Sequence, residues 1–125
     1  MKRAGEDYLE AVLRIETEQE REGVRITDIA NLLSVTKPSV ISAIKTLSKD
    51  GYISQESYSE IYLTEKGRIK AEQVYRRHKT LKEFFFNVLG VDEEIAEKDA
   101  CKIEHDISSD SMEKIASFVE AYLKK

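Results

Sequence analysis

The stretch that decides the fold runs from residue 26 to residue 63 and reads ITDIANLLSVTKPSVISAIKTLSKDGYISQESYSEIYL. Thr27 is a predicted N-cap for a short helix, ITDIANLLSV, whose apolar residues have helical spacing. A second helix is predicted over Pro38–Lys49, because proline suits the first position of a helix, where its missing N–H costs nothing. Gly51 follows that helix and predicts a left-handed cap. Only residues 36 and 37 separate the two predicted helices, so a tight turn joins them.

Two β-prone runs come next, Tyr52–Gln55 and Ile61–Leu63, with polar residues between them. They predict a small β-hairpin. Two helices joined by a tight turn and followed by a hairpin form a winged helix-turn-helix, in which the second helix enters the major groove of DNA.

The flanking sequence is helical in pattern. Helices are predicted over about residues 6–18, from Thr64 to about Leu89, over 93–105 and over 110–124. The first, second and last of these four carry an apolar stripe. The predicted fold class is therefore mainly α with a small β-hairpin. We expect a winged helix-turn-helix domain over residues 1–68 and a helical metal-binding and dimerisation domain over residues 69–125.

Composition excludes several classes of protein. The 125 residues are 41% apolar and 35% charged, and no apolar run approaches the ~20 residues that span a bilayer. We therefore expect no membrane partner. One cysteine allows no internal disulfide and favours a reducing cytoplasm. The net charge of −4 divides into −3 for residues 1–35, +5 for 36–82 and −6 for 83–125. A basic middle between acidic ends predicts a polyanion partner for one face only.

The second helix of the motif and its approach supply hydroxyls and lysines suited to base edges and phosphates. The candidate DNA-binding residues are Thr27, Thr36, Lys37, Pro38, Ser39, Ser42, Lys45, Thr46 and Lys49. The alternative is a solvated helix face on a module that binds another protein. Basic residues on the following helix are candidates for further phosphate contacts: Arg68, Lys70, Arg76, Arg77 and Lys79. The wing carries Glu56 and Glu60, so we expect it to contribute little affinity.

A second set of residues has the chemistry of metal ligands. In the segment CKIEHD, residues three and four apart share a helix face, which places Cys101 with Glu104 and His105. His78 lies on the apolar stripe of the long helix, and Asp7 and Glu10 lie one turn apart on the first helix. Each has an ordinary structural alternative: a core cysteine, a core histidine, or acids that favour a helix N-terminus.

If the three helices converge, the candidate metal ligands are Asp7, Glu10, His78, Cys101, Glu104 and His105. Carboxylates, imidazoles and one thiol suit a divalent first-row transition metal better than Ca²⁺ or Mg²⁺. The chain has no Cys-x-x-Cys pair that would indicate structural zinc.

Taken together, several segments resemble the diphtheria-toxin-repressor family of metal-dependent transcriptional regulators, in its short, manganese-responsive branch. They are EDYLEAV, ITDIANLLSVTKPSVISAIKTLSKDGYI, LTEKG, YRRHKTLKEFF, LGVDEE and CKIEHDIS. The resemblance covers the whole chain. It implies a cytoplasmic homodimer that binds a palindromic double-stranded operator and represses metal-homeostasis genes. Longer members add a C-terminal SH3-like domain, which we expect to be absent here.

By the same resemblance, the manganese-type ligands fall on Asp7, Glu10, His78, Glu104 and His105. Manganese-type members usually have Glu at the position of Cys101, whereas a Cys is typical of the iron-responsive branch, which usually has Met at the position of Asp7. The chain mixes the two patterns, so the resemblance implies Mn²⁺ or Fe²⁺, with Co²⁺, Ni²⁺ or Zn²⁺ able to bind in vitro.

Two other functions compete with a metal-gated repressor. One is a winged-helix regulator gated by an organic ligand or a protein, with His78 and Cys101 in the core. The other is a small metalloenzyme that uses the glutamates and histidines to activate water, although no arrangement of general base and oxyanion donors stands out in the sequence.

Overall fold

A computed structural model describes residues 3–56 and 60–124. The chain divides into two compact units, residues 1–72 and 73–125. In the part of the chain that the structure describes, no helix is both long and apolar enough to cross a membrane.

The first unit is a winged helix-turn-helix. Its elements are α1 (Arg3–Gln19), α2 (Ile26–Leu33), α3 (Lys37–Lys49), β1 (Ile53–Glu56), β2 (Glu60–Leu63) and the beginning of α4 (Glu65–Glu83). The two strands pair antiparallel, with Ile53 opposite Leu63. Val24 adds a bridge on the free edge of β2, where its N–H donates to the Ile61 carbonyl at 3.0 Å and its carbonyl accepts from the Ile61 N–H at 2.8 Å. The hairpin is thus tied to the segment between α1 and α2.

Local chemistry explains where these elements begin and end. Thr36 caps α3 by accepting a hydrogen bond from the Ser39 N–H, and Pro38 lies at the second helical position, not the first. The predicted N-cap at Thr27 is wrong, because the N-cap is Arg25, two residues earlier, and its side chain makes no capping hydrogen bond. Gly51 follows α3 with φ +86°, as the sequence predicts.

The wing is anchored to the start of α4. The Thr64 hydroxyl donates to the Gly51 carbonyl at 2.6 Å and accepts from the Gly67 N–H at 3.0 Å. A Cβ on Gly67 would lie 1.9 Å from the Tyr52 carbonyl oxygen, so only glycine allows this approach. The core beneath is apolar, and its most fully buried members are Leu9, Val12, Val24, Ile29, Val40, Ile44 and Ile61.

The second unit is helical. It contains the rest of α4, a π-helical segment (Phe84–Val88), α5 (Glu93–Ile103) and α6 (Ser109–Leu123). The sequence predicts one helix continuing to Leu89, but the last turn widens, and the Leu89 N–H donates to the Phe84 carbonyl at 3.0 Å. Asp92 and Ser108 cap α5 and α6. Leu81, Ala100 and Met112 form the buried core of this unit.

Candidate metal centre

A buried polar cluster lies between α4 and α5 in the second unit. His78 belongs to the predicted stripe of α4, where its neighbours Val74 and Leu81 are buried, and its own side chain is almost fully buried. Glu97 and Cys101 on α5 and Glu104 at its C-cap follow at intervals of four and three residues, and all three contact His78. The sequence pattern of both helices therefore brings these side chains together.

His78 is contacted on both sides of its ring. Nδ1 lies 2.8 Å from Glu104 Oε2 and 3.7 Å from Cys101 Sγ. Nε2 lies 2.9 Å from Glu97 Oε1. A neutral imidazole can donate through one nitrogen only, so carboxylates at both nitrogens favour the doubly protonated imidazolium.

The charges around His78 agree with this protonation. Burial lowers the pKa of His78, but hydrogen bonds to Cys101, Glu104 and Glu97 outweigh burial and raise it to about 11. Burial raises the pKa of Glu97, yet its hydrogen bond with His78 and the nearby Lys82 lower it below the ordinary value. Lys82 Nζ lies 3.3 Å from Glu97 Oε2.

Glu104 is the most deeply buried acid of the cluster. Its side chain is 0% exposed and lies between two imidazoles, with Oε2 facing His78 and Oε1 lying 3.3 Å from His105 Nε2. Oε1 is buried without a hydrogen bond of good geometry. A buried carboxylate is costly unless it is paired or binds a metal, and this one keeps an acceptor position available.

Arg77 holds the end of α5 beside the cluster. Its guanidinium donates to the backbone carbonyl of Glu104 at 3.1 Å and of Ile107 at 3.4 Å, and to the Ser109 hydroxyl at 3.3 Å. The first of these bonds satisfies the carbonyl of the C-cap residue of α5, where a cation is favoured. Arg77 therefore has a structural role, and the sequence-based expectation that it contacts phosphate finds no support in its position.

The donor set fits a divalent transition metal. Single ligand atoms of His78, Glu97 and Cys101 all lie within 4.8 Å of one another. Imidazole and carboxylate suit Mn²⁺ or Fe²⁺, and the thiol shifts the preference towards Fe²⁺, Co²⁺ or Zn²⁺. Four of the six predicted ligands, His78, Cys101, Glu104 and His105, lie in this cluster.

The other two predicted ligands lie in the first unit. Asp7 and Glu10 stand one turn apart on α1, and Glu10 is buried whereas Asp7 is half-buried. Sequence reasoning missed Glu97. Its signal was its position four residues before Cys101 and seven before Glu104 on one helix face.

The candidate DNA-binding residues form a separate surface in the first unit, and all nine are exposed. Some of their polar groups are already engaged: the Thr36 and Ser39 hydroxyls lie 2.9 Å apart, and the Thr46 hydroxyl donates back to the Ser42 carbonyl. Ile41 is also exposed on α3, at 42%. The three lysines of α3 leave this surface basic.

Two of the further basic candidates are paired with acids of the same unit. Arg68 binds Glu16 at 3.0 Å and Glu22 at 2.8 Å, and Lys70 lies 3.2 Å from Glu6. The hydrogen bond to Glu16 raises the pKa of Arg68. These side chains stabilise the first unit, so they are weaker candidates for phosphate contacts than the lysines of α3.

Comparison with known families assigns both units. Residues 1–61 match the iron dependent repressor N-terminal DNA binding domain, and residues 64–124 match the iron dependent repressor metal binding and dimerisation domain. The chain belongs to the iron-dependent repressor family. Its members are transcriptional regulators, so this chain is a metal-dependent, DNA-binding transcriptional regulator, and the metalloenzyme alternative is wrong.

Individual relatives agree with the family. An uncharacterised HTH-type transcriptional regulator of Methanocaldococcus jannaschii is 37% identical over 125 residues, which is all of this chain and 99% of the relative. The HTH-type transcriptional regulator MntR of Bacillus subtilis is 34% identical over 117 residues, covering 94% of this chain and 80% of the relative.

Solved structures of the family have the same fold. The manganese regulator SloR superposes with a TM-score of 0.80 at 27% identity over 93% of this chain. A manganese-dependent transcriptional repressor in complex with manganese superposes with a TM-score of 0.81 at 26% identity, also over 93%. The chain spans about half the length of these structures, 53% and 52% respectively.

Proposed function

We propose that this chain is a cytoplasmic, homodimeric repressor of metal-homeostasis genes that binds a palindromic operator when its metal site is loaded with Mn²⁺ or Fe²⁺. The single observation that carries the proposal is the buried cluster of His78, Glu104 and His105, which joins two imidazoles to a fully buried carboxylate. Membership of a family of metal-dependent regulators supports the same conclusion.

The proposed ligands are Asp7, Glu10, His78, Cys101, Glu104 and His105. The cluster in the second unit supplies imidazole, carboxylate and thiol groups. The carboxylates give this lining the negative charge that a cation needs. Asp7 and Glu10 would add two carboxylates from α1, and this part of the proposal rests on the resemblance of EDYLEAV to the family motif. The single cysteine without a disulfide partner supports a reducing compartment.

The bound metal would supply a divalent positive charge that several carboxylates and imidazoles can share. Ligands drawn from α1, α4 and the end of α5 would then be held in one arrangement by their shared attraction to the metal. Coupling requires that metal bind the DNA-competent arrangement better than the other arrangement, and the effect must be reciprocal.

The proposed DNA surface is the exposed face of α3 with the residues before it. We assign phosphate contacts to Lys37, Lys45 and Lys49 and base-edge contacts to Ser39 and Ser42, which is supported by the exposure of all five residues. Thr27, Thr36, Pro38 and Thr46 complete this proposed surface. Glu60 is paired with Arg21 at 3.1 Å, which lowers the pKa of its carboxyl, so the wing offers little positive charge.

The proposed dimer surface is apolar and belongs to the second unit. Phe118 and Tyr122 on α6 are about half exposed, and their rings stack with centroids 6.2 Å apart. Phe84 packs edge-on against Phe118 at 6.4 Å. An exposed aromatic patch of this kind is typical of a protein interface. An isologous dimer would present two α3 helices to two half-sites, which suits a palindromic operator.

The proposal is tested by binding to an operator duplex recovered from a random library with metal-loaded protein. Fluorescence anisotropy of this duplex is measured against Mn²⁺, Fe²⁺, Co²⁺ and Zn²⁺ at buffered free concentrations, because Zn²⁺ outcompetes Mn²⁺ at most sites. We expect Mn²⁺ or Fe²⁺ to tighten binding at least tenfold. The Glu10→Gln variant should lose this response, whereas the Glu18→Gln variant, altered on the same helix, should keep it.

Equal DNA affinity with metal and with chelator would overturn the metal switch. That result would favour the alternative of a winged-helix regulator gated by an organic ligand or a protein.

A further inference from the structure

The two ring nitrogens of His78 face different surroundings. Nδ1 faces the buried side of the cluster, with Glu104 Oε2 at 2.8 Å and Cys101 Sγ at 3.7 Å. Nε2 faces Glu97, whose Oε1 lies 2.9 Å away. The Glu104 side chain is 0% exposed, whereas that of Glu97 is 32% exposed. One side of the ring is therefore buried and rich in ligand atoms, and the other lies near the surface.

A histidine binds a metal through one neutral nitrogen, while the other nitrogen keeps its proton and donates it to a neighbour. The partner of that N–H decides which nitrogen is offered to the metal. In this cluster, the nitrogen next to more than one predicted ligand is Nδ1, because both Glu104 and Cys101 lie beside it.

From this geometry we propose that Glu97 is a positioning residue, which accepts the Nε2–H of His78 and thereby directs Nδ1 towards the metal. The inference rests on the proposed metal site and adds a role that the ligand set does not contain. Although a carboxylate oxygen of Glu97 lies within 4.8 Å of ligand atoms of His78 and Cys101, in this proposal Glu97 holds the Nε2 proton of His78 and does not bind the metal.

Lys82 supports Glu97 in this role. Its ammonium lies 3.3 Å from Glu97 Oε2, the oxygen that His78 does not use, and 3.6 Å from Glu93. The pairing orients Glu97 with one oxygen towards Lys82 and the other towards His78. Lys82 also places a positive charge beside Glu97, which disfavours a second cation at that position. Lys82 therefore contacts Glu97, and Glu97 contacts His78, in a chain of contacts that runs from the surface to the buried side of the cluster.

The test is nuclear magnetic resonance of the full chain labelled with ¹⁵N-histidine and loaded with ¹¹³Cd²⁺, a diamagnetic probe that binds imidazole and thiolate. We expect ¹¹³Cd coupling to Nδ1 of His78 and a protonated, slowly exchanging Nε2. The Glu97→Ala variant should lower Cd²⁺ affinity by about 10- to 100-fold, the usual effect of losing such a partner, and its Nε2 proton should exchange rapidly. The Glu97→Gln variant keeps a carbonyl acceptor and should recover most of the loss.

The matched control is Glu94→Gln, at an exposed position on the same helix, which should leave both the coupling and the affinity unchanged. Coupling of ¹¹³Cd to Nε2 would overturn the positioning role, because Glu97 would then lie on the metal side of the ring. If Cd²⁺ fails to bind, or binds without coupling to either histidine, the proposed metal site itself is wrong.

Discussion

Glu104 offers the sharpest single perturbation of the cluster. The Glu104→Gln variant keeps the size of the side chain but removes a charge that lies 2.8 Å from His78 Nδ1 and is fully buried. Removing one partner of a buried ion pair costs about 3–5 kcal/mol, because the other charge is left uncompensated. His78 keeps its second acceptor, Glu97, at 2.9 Å, so we expect the lower end of this range, about 3 kcal/mol, in the metal-free protein.

The assay is urea unfolding with chelator and with buffered Mn²⁺ or Co²⁺. In the unaltered chain, metal at about 100 times its Kd should add about 2.7 kcal/mol to the free energy of unfolding. Glu104→Gln should lose this gain in addition to its own destabilisation. The control Glu94→Gln should stay within about 0.5 kcal/mol of the unaltered chain under both conditions. A Glu104→Gln protein that keeps the full metal gain would refute the assignment of Glu104 as a ligand.

Three further predictions follow from other residues. The raised pKa of His78 stabilises the metal-free fold below pH 6.5 and loses that contribution as pH rises towards about 11, whereas the lowered pKa of Glu97 stabilises it above pH 4.5. Urea unfolding with chelator should therefore give the highest free energy of unfolding between pH 4.5 and pH 6.5. Metal affinity, measured by calorimetry, should rise with pH, because His78 must release a proton to bind the metal. The Gly67→Ala variant should lose about 1–3 kcal/mol in the same unfolding assay, because its methyl group meets the Tyr52 carbonyl oxygen; unchanged stability would contradict this contact. The Cys101→Glu variant should bind Mn²⁺ more tightly relative to Co²⁺ and Zn²⁺ in competition with a chromophoric chelator, and an unchanged order of affinities would show that the thiol is not a ligand.

The fold was largely predictable because its signals are local. Pro38, Gly51 and the apolar stripes mark the helices of the first unit, and the structure confirms a helix-turn-helix followed by a hairpin. Two details were not local. Thr27 has the right residue type for an N-cap, but Arg25 holds the N-cap position and α2 begins at Ile26. The π-helical turn at residues 84–88 contains no glycine or proline from which a break in the helix could be predicted.

The site was predictable in chemistry but not in contacts. The spacing of Cys101, Glu104 and His105 placed them on one helix, yet no periodicity could show that Glu97 reaches the opposite side of His78. Arg77 also looked like a surface charge. Its capping role depends on the end of α5 lying within reach, and such a contact between helices has no signature in a single sequence.

The central claim is that metal binding and DNA binding are coupled, and reciprocity gives its most direct measurement. The affinity for Mn²⁺ or Fe²⁺ is measured with and without the selected operator duplex, at one pH and one salt concentration. Coupling of the usual size, about 1–3 kcal/mol, predicts that the duplex tightens metal binding by about 5- to 150-fold, and by the same factor as metal tightens DNA binding. A metal affinity that is unchanged by the operator would contradict the account.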